Sequence, residues 1–205
     1  MSRFTDYRDV AVTPPTAGRA LTGDVKLAYI GLIRPYKNLE LLVDAAAKVS
    51  GLELRVGGMA MDRALADKLL AGAKQTPHIT LDFWDAPVSD GKFEAIVDSA
   101  DAIVLPYRSV LNSGAMLFAL SRNRPVLAPN IGSLPELRET VGPDWVYLYE
   151  GEFNQSVLND FIAWMRKTKR GDMAPLDYYS WSRIGQELGK FIESLRRIST
   201  PLQKL

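Results

Sequence analysis

Residues 26–49 read KLAYIGLIRPYKNLELLVDAAAKV, and their pattern decides the fold class. The first eight (26–33) are almost continuously apolar, as a strand buried on both faces is. Residues 38–49 change period: Leu42, Ala45, Ala46 and Val49 recur at helical spacing and mark one face of a helix. A buried strand that leads straight into a helix opens a crossover, which parallel strands need because no tight turn can join them.

The same alternation continues downstream. Strands are predicted at 52–56 (closed by Gly57 and Gly58), 79–84, 101–105 (stopped by Pro106), 125–128 and 145–149. Helices are predicted at 62–74, 90–99, 114–122, 134–140, 153–168 and 180–197. Strands that alternate with helices imply an α/β fold, a doubly wound parallel sheet with helices on both faces. Residues 1–25, punctuated by Pro14, Pro15, Gly18 and Gly23, read as a linker or loop, and 26–205 as one domain with C-terminal helices. The last helix is expected to pack loosely or against something else.

The 205 residues carry 25 basic and 24 acidic side chains, a net charge of +1. No broad positive field draws the chain to nucleic acid, and membrane contact is expected to be peripheral at most, so any anion site must be local. The chain has no cysteine, which excludes disulfides, zinc–thiolate sites and a thiol nucleophile. Its first residues, MSRFTDYRDV, do not form a signal peptide, and no apolar run reaches the ~20 residues that span a bilayer. A cytoplasmic location is expected.

Ligands of an open parallel sheet bind beyond the carboxyl ends of its strands, so three loops matter: GLIRPYKN (31–38), PYRSVLNSG (106–114) and APNIGSLPE (128–136). Arg34 and Lys37 in the first can meet a diphosphate, although alone they read equally as two solvated cations. Asn112, Ser113 and Gly114 open a helix whose free N–H groups suit an anion, or form a plain cap. Glu136 can bring a carboxylate to the same edge, or simply favour the first turn of its helix. Trp84 and Phe83 read as core or as a stacking platform. His78, the single histidine, reads as a turn residue. Neither a G-x-x-x-x-G-K-[ST] loop nor a G-x-G-x-x-G fingerprint occurs.

Taken in order, three blocks carry a resemblance: YIGLIRPYKNLELLVDAA (29–46), LELRVGG (52–58) and ADAIVLPYRSVLNSGAMLFALSRNRPVLAPNIGSLPEL (100–137). Together they resemble the C-terminal, Rossmann-like half of GT-B-fold glycosyltransferases, in the large retaining family that uses nucleotide sugars (glycosyl transferases group 1). The likeness covers roughly 26–150 and, more faintly, the C-terminal helix through Trp181. It implies that Arg34, Lys37, Asn112, Ser113 and Gly114 hold the donor diphosphate, and that Gly31, Trp84, Val88 and Glu136 lie near the donor base or sugar. It implies a UDP- or GDP-sugar as donor substrate, no cofactor and no metal. It also implies an N-terminal domain or subunit that binds the acceptor, to which residues 1–25 would be the link.

The departures are local. The family's two glutamates, separated by seven residues, fall on Val110 and Phe118. The arginine after the first-loop glycine is Leu32, with Arg34 two positions on. The glycine before Pro-Val is Asn123. The wording RPYK and VLNSG is similar to that of a subset of these enzymes. The donor base, the sugar, the acceptor and the stereochemical outcome stay open, as does the alternative of a binding module without catalysis or one subunit of a split transferase.

Overall fold

The computed structural model describes residues 21 and 23–199. Most of the expected linker, residues 1–20 and 22, lies outside them. The chain order is β1 (Val25–Ile33), a 3-10 turn (Pro35–Lys37), α1 (Leu39–Ala46), β2 (Leu52–Ala60), α2 (Arg63–Ala73), β3 (Ile79–Trp84), α3 (Asp90–Ser99), β4 (Ala102–Val104) and α4 (Gly114–Ser121). It continues with β5 (Val126–Pro129), α5 (Leu134–Val141), β6 (Val146–Tyr149), α6 (Gln155–Lys167), a second 3-10 turn (Asp177–Tyr179) and α7 (Trp181–Ser199).

All six strands are parallel, in the order β3-β2-β1-β4-β5-β6. The chain moves outward from β1 to β3, then returns to the other side of β1 and moves outward again. The neighbours β1 and β4 therefore form the switch point, where the loops that follow the two strands part and leave a crevice. The middle strands are apolar because both faces are covered: Ala102, Ile103, Val104, Val126, Leu127 and Ala128 are fully buried.

Two differences from the sequence reading have physical causes. β2 does not stop at its glycines but runs through Gly57 and Gly58 to Ala60, in register with Ile30–Ile33 of β1. A Cβ on Gly58 would stand 2.1 Å from the Gly31 carbonyl oxygen, and one on Gly57 2.5 Å from Ile96 Cδ1. These glycines mark close approach and not a turn. The helix predicted from residue 38 begins at Leu39, because Pro35–Lys37 first make a 3-10 turn and Asn38 turns left-handed at φ 60°. Other boundaries agree within one to two residues, apart from α1, which ends at Ala46 and gives way to a turn before Val49.

Asn123 also lies at positive φ, 55°, and its side-chain oxygen accepts a bond from the Ala174 amide at 2.9 Å. Asparagine tolerates that region better than most residues, which accounts for its place where the resemblance has glycine. On either side, Arg122 and Arg124 fix the end of α4 to α3. Arg122 binds the Asp98 carboxylate, and Arg124 donates to the carbonyls of Val97, Asp98 and Arg122. On α7, Ile184, Leu188, Phe191 and Ile192 form an apolar stripe that is 43–60% exposed.

Candidate functional site

The loops after β1 and β4 meet at the switch point. The Arg108 amide donates to the Tyr36 carbonyl at 2.9 Å, and its guanidinium to Asn38 Oδ1 at 3.3 Å. This clasp sets Tyr107, only 2% exposed, beneath Lys37. The Lys37 ammonium lies 3.6 Å from the centroid of the Tyr107 ring and 5.1 Å from that of Tyr36. Burial, and secondarily the neighbouring Arg34 charge, lower the Lys37 amine to about 8. Among the described residues Lys37 forms no ion pair. Arg34, half-buried, keeps its Nε buried without a hydrogen-bond partner among the described residues.

From the other side, the Tyr107 hydroxyl lies 3.5 Å from Ser113 Oγ. Burial pushes this phenol up to about 12, against the pull of the Ser113 contact. Ser113 caps α4, its hydroxyl accepting from the Met116 amide at 3.2 Å. The Gly114 and Ala115 amides precede the first intrahelical bond and point their N–H groups out of the helix start, where its dipole is positive. Gly114 is exposed, and a Cβ built on it meets nothing within 4 Å. Tyr107 thus links the two loops, with the Lys37 ammonium over its ring and the Ser113 cap of α4 at its hydroxyl.

The third loop braces the second. Ser133 donates both its amide (3.1 Å) and its hydroxyl (2.7 Å) to the Leu111 carbonyl. Gly132, at φ 60°, lies so close beneath that a Cβ would stand 2.2 Å from the Val110 oxygen. Val110, at the first missing glutamate, has its carbonyl close against Gly132 and its side chain packed partly buried against the core. Phe118, at the second, packs partly buried against the core.

The remaining residues singled out lie elsewhere. Trp84 is 8% exposed at the end of β3, its indole N–H donating to Asp82 at 2.7 Å, with Phe93 edge-on and the Lys92 ammonium over its ring at 4.4 Å. It is built into the core and offers little face for stacking. Val88 is half-buried against that same core. Gly31, at φ 141°, packs against the Tyr29 hydroxyl, which donates to the Leu32 carbonyl. Glu136 is exposed on the first turn of α5, where its charge bears on Tyr179, whose phenol is raised mainly by burial. Among the described residues no contact joins it to Lys37 or Ser113. His78 meets the Ala46 carbonyl at 3.2 Å, at the opposite end of the strands. There a cleft of about 550 Å³, lined in part by Lys26, Glu53, Arg55 and His78, opens at the amino ends of β1–β3. Sequence reasoning missed Tyr107 and Arg108. The available signal was an aromatic followed by a cation just after a buried strand and its proline.

No protein-family model matches the chain. Several solved structures share its fold. The apo lipopolysaccharide outer core galactosyltransferase WaaB superposes with a TM-score of 0.65 at 15% identity, over 91% of this chain and 53% of that one. HepE from Anabaena in complex with UDP gives 0.66 at 15% identity, over 85% and 50%. The C-terminal domain of a glycosyl transferase group 1 family protein, LpcC from Francisella tularensis, gives 0.50 at 19%, over 69% and 74%. In sequence the chain is 38% identical over 193 residues to the GDP-mannose:glycolipid 4-beta-D-mannosyltransferase of Xanthomonas campestris pv. campestris, over 89% of this chain and 53% of that protein. It thus spans about half the length of the curated relatives it matches. By fold the chain matches the Rossmann-like C-terminal domains of GT-B glycosyltransferases, and in sequence it is similar to about half the length of two GDP-mannose:glycolipid 4-beta-D-mannosyltransferases.

Proposed function

We propose that this chain is the donor half of a glycosyltransferase and binds the diphosphate of a sugar nucleotide at the switch point between β1 and β4. One observation carries the reading: Lys37 rests on Tyr107, whose hydroxyl lies by the Ser113 cap of α4, and among the described residues no carboxylate pairs with it. A diphosphate there would accept from the Lys37 ammonium, the Arg34 guanidinium and the Gly114 and Ala115 amides. Each charge-assisted bond contributes about 1.5–3 kcal/mol. In transfer, the bond from the sugar's anomeric carbon to the diphosphate breaks and charge grows on the departing oxygen. Fixed cations and helix N–H groups stabilise that charge without reorganising.

The names of the two curated relatives, at 38% and 37% identity, favour GDP-mannose as donor and a glycolipid as acceptor. The acceptor would lie on the half of the enzyme that the relatives have beyond the matched length. Catalysis would then require both halves, since holding two substrates in register accounts for about 7–11 kcal/mol of a transfer barrier. The exposed apolar stripe of α7 is consistent with a second domain packed there. In a thermal-shift assay GDP and GDP-mannose should raise the melting temperature, and free mannose should not. Transfer to a glycolipid should need the full two-domain protein. Efficient transfer by the 205-residue chain alone would refute the division of labour.

A second reading, a sugar-nucleotide-binding module without catalysis, is favoured by the absence of carboxylates at Val110 and Phe118. A two-domain protein that binds GDP-mannose but turns over no acceptor would support it.

A further inference from the structure

Lys37 presents a problem that the donor reading leaves open. A flexible lysine in a polar cup either swings into solvent or pairs with a carboxylate, and a carboxylate would compete with a phosphate for the same ammonium. Among the described residues neither arrangement is found. The ammonium rests 3.6 Å above a buried aromatic ring on the neighbouring loop, and the hydroxyl of that ring reaches the serine that caps α4. An aromatic face attracts a cation through its quadrupole but takes up none of its N–H bonds. Resting on it, the ammonium is not neutralised by the ring and keeps the N–H donors that face away from it for an incoming anion.

We infer that Tyr107 is a positioning residue for donor binding: its ring seats the Lys37 ammonium, and its hydroxyl sets that seat against the Ser113 cap of α4. The inference rests on the donor reading for its purpose but not for its geometry. The clasp from Arg108 to Tyr36 and Asn38 holds the two loops in register, so that ring and ammonium meet. Tyr36, with its ring 5.1 Å from the same ammonium and 38% exposed, flanks the seat from the solvent side. The seat can be told apart from a plain core tyrosine, because a core role needs only bulk, whereas the seat needs an aromatic face opposite Lys37.

The test uses the full 205-residue chain in two measurements. In the unliganded protein, the ε-methylene resonance of Lys37, assigned as the one lost in Lys37→Ala, should be shifted upfield by the Tyr107 ring current. The shift should persist in Tyr107→Phe and vanish in Tyr107→Leu. Its absence from the native chain, or its survival in Tyr107→Leu, would overturn the inference, and the native-chain result stands even if Tyr107→Leu fails to fold. In the second measurement GDP is titrated calorimetrically. Tyr107→Leu should weaken binding about tenfold, equivalent to about 1.4 kcal/mol, and Tyr107→Phe less than about twofold. In a Lys37→Ala background, Tyr107→Leu should add less than about twofold, since the ring acts through the lysine. Equal losses in both backgrounds would show that Tyr107 serves as bulk, and a Phe variant as weak as Leu would show that the hydroxyl acts and not the aromatic face; either result overturns the seat. If the native chain binds neither GDP nor UDP, the donor reading fails, and the resonance measurement alone decides whether the seat exists.

Discussion

Gly132→Ala tests how the third loop braces the second, and its magnitude follows from the local geometry. Gly132 lies at φ 60° with the Val110 oxygen 2.2 Å and the Leu111 oxygen 3.2 Å from where a Cβ would go. Alanine in the left-handed region costs roughly 1–2 kcal/mol. The Val110 contact must also open by about 1 Å to reach ordinary separation, and Val110 precedes Leu111, the acceptor of both Ser133 bonds. Loss of these two bonds adds roughly 0.5–1.5 kcal/mol each. The sum is about 2–5 kcal/mol, a large part of a typical domain stability. At about 2–4 °C per kcal/mol for a chain of this size, the melting temperature should fall by roughly 4–20 °C. Gly114→Ala is the contrast. Its Cβ meets nothing within 4 Å, and alanine is the better helix former by up to about 1 kcal/mol. Its melting temperature should hold or rise, while GDP binding weakens because the methyl group covers the helix start. Differential scanning calorimetry on both variants decides. An unchanged melting temperature in Gly132→Ala would refute the brace.

Lys37→Ala should weaken GDP binding by roughly 1.5–3 kcal/mol by calorimetry, whereas Lys48→Ala, exposed on the turn after α1, should change it little; equal losses would point to a diffuse field. With the Lys37 amine near 8 in the folded chain, GDP affinity should be level below that pH and decline above it, with proton uptake on binding, and Lys37→Ala should remove the decline. The stability sign is the reverse: the amine is lowered on folding, so the unfolded chain holds more protons and this group adds stability as pH rises from about 8 to about 10.5, a slope that denaturant titrations of native and Lys37→Ala chains should separate. Asp98→Ala should destabilise by roughly 1–3 kcal/mol, because it strips the buried Arg122 of its main partner while water still reaches a carboxylate that is 34% exposed; urea titration reads this, and a value near zero would mean that Glu94, 3.6 Å from the guanidinium, suffices.

Much of the fold was legible because parallel strands buried on both faces leave a plain signal. β3 and α3 fall on the predicted residues, and β1 differs by one. The glycines were not legible in the same way. Gly57 and Gly58 carry the composition of a turn, yet only their neighbours across the sheet, the Gly31 carbonyl and Ile96, reveal why they are glycines. Arg34, Lys37 and Ser113 could be read as candidates, since position after a strand and before a helix is visible in one dimension. Tyr107 left only the signal of an aromatic after a buried strand and its proline, because its place beneath Lys37 depends on a residue far earlier in the chain. Trp84 read as core or as a stacking platform, and its burial beneath Phe93 and Lys92 of α3 agrees with the core reading.

The central claim is that a nucleotide diphosphate binds at the carboxyl ends of β1 and β4, and amide chemical-shift mapping during a GDP titration tests it most directly. The account expects the perturbed amides to cluster at residues 34–38, 107–108 and 112–116. Perturbations centred instead on Lys26, Arg55 and His78 around the cleft at the other end of the sheet, or none at millimolar GDP or UDP, would contradict it.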